Sequence, residues 1–111
     1  MIEVTLLNYL NNVLSVPAYM ERPENQSARF VLIEKTGSSR QNLVRQSTFA
    51  VQSIAESLAE AAILNDGVLT AMDGILELDE ISKVEQMGDY YFPNTQRKEY
   101  RYQAVYRLTY Y

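Results

Sequence analysis

Residues 99–111 read EYRYQAVYRLTYY. Tyr100, Tyr102, Ala104, Tyr106, Leu108 and Tyr110 recur with a period of two. Arg101, Gln103, Arg107 and Thr109 fall between them, joined there by Val105. Successive side chains of a strand point to opposite faces, so this pattern marks a strand with one face packed and the other solvated. Half-buried strands belong to antiparallel sheets. A partner arm is predicted from about Ile81 to Met87. The connecting loop is then Gly88–Gln96, which carries Tyr90, Tyr91 and Phe92 and closes with Pro93-Asn94.

Upstream, residues 30–34 (FVLIE) form a continuous apolar run rich in β-branched residues, which predicts a central strand buried on both faces. Thr36–Ser39 reads as a turn. A second strand is expected from about Leu43 to Ala50, with Leu43, Phe49 and Val51 in phase, and the two runs form a hairpin. Ser53 followed by Glu56 has the spacing of a capping box. The helix it opens is expected to bury Ile54, Leu58, Ala61, Ala62, Leu69, Met72 and Leu76, with Ala55, Ala59, Ala61 and Ala62 giving it a narrow face. Asn65-Asp66-Gly67 is a point of bending, since glycine costs about 1 kcal/mol against alanine in a helix interior.

At the start, Ile2, Leu6, Tyr9, Leu10, Val13 and Leu14 recur at helical spacing, and Ser15-Val16-Pro17 ends the helix. Ala18–Glu21 reads as a short edge strand and 22–27 as a polar loop. The expected fold is α+β. A mainly antiparallel sheet of four to five strands carries an N-terminal helix and a central Ala-rich helix on one face, in a single domain over 1–111.

Composition bounds the chemistry. The chain has 111 residues, 47% of them hydrophobic, and no Cys, His or Trp. Disulfides, thiolate nucleophiles, Cys-type zinc sites and histidine-based triads are therefore excluded. No run approaches the ~20 apolar residues of a membrane span. Met1-Ile2-Glu3-Val4-Thr5 does not resemble a signal peptide, which points to folding in the cytoplasm. Net charge is −4, against DNA wrapping, but the charge is divided along the chain. In 29–52, Arg29, Lys35, Arg40 and Arg45 oppose Glu34 alone. In 53–92, nine carboxylates oppose Lys83 alone. In 93–111, Arg97, Lys98, Arg101 and Arg107 oppose Glu99 alone. Such segments fit complementary faces of neighbouring copies, or a solvated acidic helix face.

Several motifs admit a sharper and a plainer reading. Lys35–Arg40 has the donors of a phosphate cradle but lacks the Walker spacing, and a hairpin turn is the better account. Glu77, Asp79, Glu80 and Glu85 form an acidic group without the calcium-loop pattern, and a solvated or docking surface is the better account. Alternate tyrosines on the last strand fit core and cross-strand pairs better than base stacking. That leaves Arg101, Gln103 and Arg107 on the opposite face, and the aromatic loop with Tyr91 and Phe92, as candidate contact residues. With Arg40, Arg45, Glu77, Asp79 and Glu80 they make up the expected subunit and partner interface.

Three stretches taken together resemble a known family. They are 30–40 (FVLIEKTGSSR), 50–62 (AVQSIAESLAEAA) and 101–111 (RYQAVYRLTYY). Their order and spacing resemble the small tail-terminator, or tail-completion, proteins of long-tailed bacteriophages and prophages. In that family an Ala-Val-Gln-Ser strand leads into an Ala-rich helix and a late Arg-Tyr-Gln strand follows. Here these map onto Ala50-Val51-Gln52-Ser53 and Arg101-Tyr102-Gln103.

The resemblance implies a ring, commonly a hexamer, seated on the last ring of tail-tube protein. It ends tail polymerisation and offers the surface that joins the filled head through a head-connector protein. DNA passes through such a ring without sequence-specific binding, and the protein moves from host cytoplasm to the virion neck. No catalytic residue, cofactor or metal is implied. The alternatives are another neck protein such as a head-closure protein, a nucleic-acid-binding module using the basic last strand, and a carboxylate-only enzyme.

Overall fold

The computed structural model describes residues 1–25, 27–97 and 99–111; Gln26 of the polar loop and Lys98 of the basic C-terminal segment lie outside the described residues. The chain forms α1 (Ile2–Val13), β1 (Ala18–Tyr19), β2 (Phe30–Gln41), β3 (Val44–Ala55), α2 (Leu58–Asp73), a 3-10 turn at Ile75–Glu77, β4 (Ile81–Tyr91) and β5 (Tyr100–Tyr110). The strands make one sheet in the order β1-β2-β3-β5-β4. All pairs are antiparallel except β1 with β2. The architecture is the α+β sheet with two helices expected from the residue pattern.

Register explains why the helices share a face. Ile33, Val51 and Ala104 line up across β2, β3 and β5, as do Lys35, Phe49 and Tyr106 in the next row. The apolar members of these rows join Leu6, Tyr9 and Leu10 of α1 and Leu64, Val68 and Met72 of α2 in one cluster. Each fully buried Leu or Val in it contributes about 1.5–3 kcal/mol. α1 stops where expected, with Leu14 already extended ahead of Pro17. Asn11 then holds the chain, accepting from the Ala18 amide at 2.9 Å and donating to the Ala18 carbonyl at 3.1 Å. That fixes β1 beside β2. Tyr9 reaches across to donate to the Ala71 carbonyl at 2.7 Å. A Cβ at Gly74 would sit 3.0 Å from the Tyr9 hydroxyl oxygen, so glycine lets the end of α2 approach α1.

Local signals misplace two boundaries. The reversal between β2 and β3 is not at Thr36–Ser39, which lies within β2, with Thr36 at the bulge between Lys35 and Gly37. It falls at Asn42-Leu43, where Asn42 takes φ 59°. Asparagine tolerates that left-handed conformation, and the primed turns of two-residue hairpins require it. The helix cap is Ser57, not Ser53. Ser57 Oγ accepts from the Glu60 amide at 3.1 Å, and Ser57-x-x-Glu60 repeats the spacing of Ser53-x-x-Glu56. Ser53 is held in β3 instead, paired with Val31 on one side and Tyr102 on the other. Two ladders of backbone hydrogen bonds outweigh one cap.

Starting α2 at Leu58 rotates its inner face to Ala61, Leu64, Asn65, Val68 and Met72. Leu58 (46% exposed) and Leu76 (50%) therefore face solvent rather than core. The helix also runs straight through Asn65-Asp66-Gly67. β2 is buried only at its start. Every residue from Glu34 to Gln41 is exposed, because β1 pairs with Val31 and Leu32 alone. Leu43, expected in phase with the core, is 78% exposed at the hairpin tip.

Candidate functional site

At the tip of the β2–β3 hairpin, Arg40 and Arg45 are directly opposed cross-strand partners. No carboxylate occurs between residues 35 and 55. Among the described residues neither arginine forms an ion pair. Like charges placed opposite one another cost roughly 0.2–1 kcal/mol. Leu43 and Val44 are exposed beside them. The loop end joins exposed apolar surface to two guanidinium groups, a combination suited to an acidic partner.

The sheet face away from the helices is open over its middle. There Gln52 donates to Gln103 at 2.9 Å, and Gln103 donates to the Tyr90 hydroxyl at 2.6 Å. Arg107 forms a bidentate pair with Glu85 at 3.1 and 3.0 Å. Glu85 is held below the usual carboxylate range by that hydrogen bond, and Arg107 is raised by it. Arg101 lies over the Phe92 ring at 4.6 Å and donates to the Phe92 carbonyl at 2.8 Å; burial pulls its pKa down. The three residues expected on this face, Arg101, Gln103 and Arg107, are thus all engaged within the chain. β4 extends to Tyr91, so the aromatic segment begins as strand rather than loop. Tyr91 packs on Tyr102 at 5.3 Å and Phe92 lies beneath Arg101, yet both remain 43% exposed. Further along this face Arg22 pairs with Glu99 at 2.7 Å and sits over Phe30 at 5.5 Å, closing that end of the sheet.

The helical face carries a groove of about 750 Å³ between the C-terminal half of α1 and the outer side of α2. Val13, Leu14, Val16, Ile63 and Leu64 form its apolar walls. Arg29, Glu60, Asp66 and Glu77 stand at its margins. Arg29 is taken up by Glu56 at 2.7 Å and Glu60 at 3.2 Å. Asp66 and Glu77 form no ion pair among the described residues. Glu77, Asp79 and Glu80 are all exposed where α2 leads into β4. No group of three or more acidic side chains among the described residues is arranged to hold a metal ion.

The ten expected interface residues therefore divide among three places. Arg40 and Arg45 meet at the tip, Glu77, Asp79 and Glu80 lie at the α2–β4 connection, and the remaining five lie along β4, β5 and their loop. Sequence reading missed Leu43, Ile63 and Asp66 as surface groups, because their faces are set by the hairpin register and the helix start. No described helix is long and apolar enough to cross a membrane. No protein-family model matches the chain, and no curated protein shows significant similarity to it.

Proposed function

We propose that this chain is a structural assembly protein of a long-tailed phage or prophage: a tail terminator that caps the tail tube as a ring and presents the head-joining surface. The observation that carries the reading is where its motifs lie. Ala50–Ser53 and Arg101–Gln103 are remote in sequence, yet they occupy the two central strands in direct register, with Gln52 opposite Gln103 and Ser53 opposite Tyr102. The groups that resemble the family form one block at the middle of the sheet. Around it the exposed charge is divided into a carboxylate-free hairpin end and an acid-bearing helical layer, the two complementary surfaces a head-to-tail ring requires.

The test adds the protein to polymerising tail-tube protein. Growth is expected to stop, with one ring bound at one end of each tube. Light scattering on the protein alone reports a free ring as a salt-sensitive species near six times 12.8 kDa, and electron microscopy of the capped tubes reports a ring formed on the tube. Tubes that grow to the same length with no bound protein overturn the reading.

A further inference from the structure

We infer that the β2–β3 hairpin tip of one copy seats in the α1–α2 groove of the next. The inference rests on the ring reading and specifies the contact that would close such a ring.

The two surfaces match in polarity and charge. The tip offers Leu43 (78% exposed) and Val44; the groove offers Ile63 (64% exposed) and Val13 (47% exposed). Among the described residues the tip's Arg40 and Arg45 have no counter-ion. The groove margin carries Asp66 and Glu77 in the same state, since Arg29, the one cation among its described lining residues, is already bridged to Glu56 and Glu60. Two unpaired cations with an apolar end thus face two unpaired anions around an apolar trough. Desolvating Leu43 against Ile63 supplies affinity, and the charges set orientation and reject the reverse approach.

A chain's own Leu43 does not reach its own Ile63. Asn65 of α2 donates to Asp89 at 2.7 Å, and Asp89, Ala104, Val51 and Ile33 lie in one row across the sheet. That row marks the level of Ile63 and Asp66, whereas Glu77 comes four residues before Ile81, which shares the row of Tyr110 and Arg45. The tip at Asn42 is nine residues further along β2, roughly 30 Å at the rise of a strand. β3 is paired with β5 from Arg45 to Ala55, so the arm does not fold back. The contact therefore uses different patches on the two copies. Such a heterologous contact propagates from copy to copy and closes when the rotation per step divides a full turn.

The absence of cysteine makes the contact directly testable. The double variant Leu43→Cys, Ile63→Cys is placed under mild oxidation, with each single variant as control. A disulfide needs Cα atoms about 4.4–6.8 Å apart, so only a seated tip is captured. A non-reducing ladder from dimer upward, far stronger than in either single variant, is expected. Adding Arg40→Glu and Arg45→Glu should lower its yield about ten-fold or more, because like charges then face each other. A second measurement avoids cysteine. A tip-reversed variant (Arg40→Glu, Arg45→Glu) and a groove-reversed variant (Asp66→Lys, Glu77→Lys) should each fail to assemble alone and assemble when mixed, since every contact in an alternating ring is then restored. A wild-type ring that forms while the ladder is missing and the reversed variants assemble unaided overturns the tip-in-groove contact and leaves the terminator reading standing. If the wild type forms no ring, even on tail-tube protein, the terminator reading itself falls.

Discussion

Tyr106 shows how one residue records the packing around it. Its ring is buried in the core, and burial pushes the phenol up to about 12, with Asp73 and Asp89 adding to the effect. The folded pKa lies above the unfolded one. The stability it contributes is therefore fully present below about pH 10 and is lost as pH rises towards 12. Tyr106→Phe should flatten that alkaline loss, worth on the order of 2 kcal/mol, in urea titrations run between pH 9 and 12. An unchanged slope would mean that the ring is solvated. The alternation over 100–110 already placed Tyr106 on the packed side. Its titration depends on α2 lying above it, which no local pattern discloses.

At the scale of elements, the two Ser-x-x-Glu repeats separate what a motif offers from what the fold uses. Ser57 caps α2, so Ser57→Ala should cost about 1 kcal/mol in chemical denaturation. Ser53 is fully buried in β3, and its hydroxyl has no hydrogen-bond partner among the described residues. Ser53→Ala should accordingly be neutral or mildly stabilising. Equal losses for both would contradict the boundary seen here. Both serines satisfy the capping pattern equally well in one dimension. The choice is made by strands on either side of Ser53, which extend β3 to Ala55 and push the helix start four residues on. The same extension turns Leu58 outward and brings Asn65 inward, where it meets Asp89. Strand length is hidden from local pattern for a related reason. Beyond Glu34, β2 has no apolar alternation to announce it and is held by the β3 ladder alone.

At the scale of the molecule, the open sheet face is closed at one end by two loops rather than by a helix. Arg22 from the first loop and Glu99 from the second form their bidentate pair at 2.7 and 3.0 Å over Phe30, with both side chains mostly buried. Arg22→Ala leaves a carboxylate in a partly dry site and uncovers Phe30. A loss of about 2 kcal/mol is expected, together with faster proteolysis within residues 92–97. Stability within a few tenths of a kilocalorie of the wild type would show that the loops are held by other contacts. Nothing in residues 20–29 or 92–99 indicates this pairing in advance, because the partners lie 77 positions apart and neither segment has a periodic pattern.

Fold class, the order of helices and strands, the packed side of β5, and the exclusion of cysteine and histidine chemistry are all legible in the order of residues alone. Each of these follows from periodicity or composition, which act over a few residues at a time. Where β3 ends and α2 begins, that Leu43 sits at a cationic tip, and that Asp66 and Glu77 flank an apolar groove emerge from long-range packing. The physical reason is competition between distant partners. A residue that satisfies two local rules adopts the one supported by neighbouring strands, and a surface exists only once remote segments have been brought together.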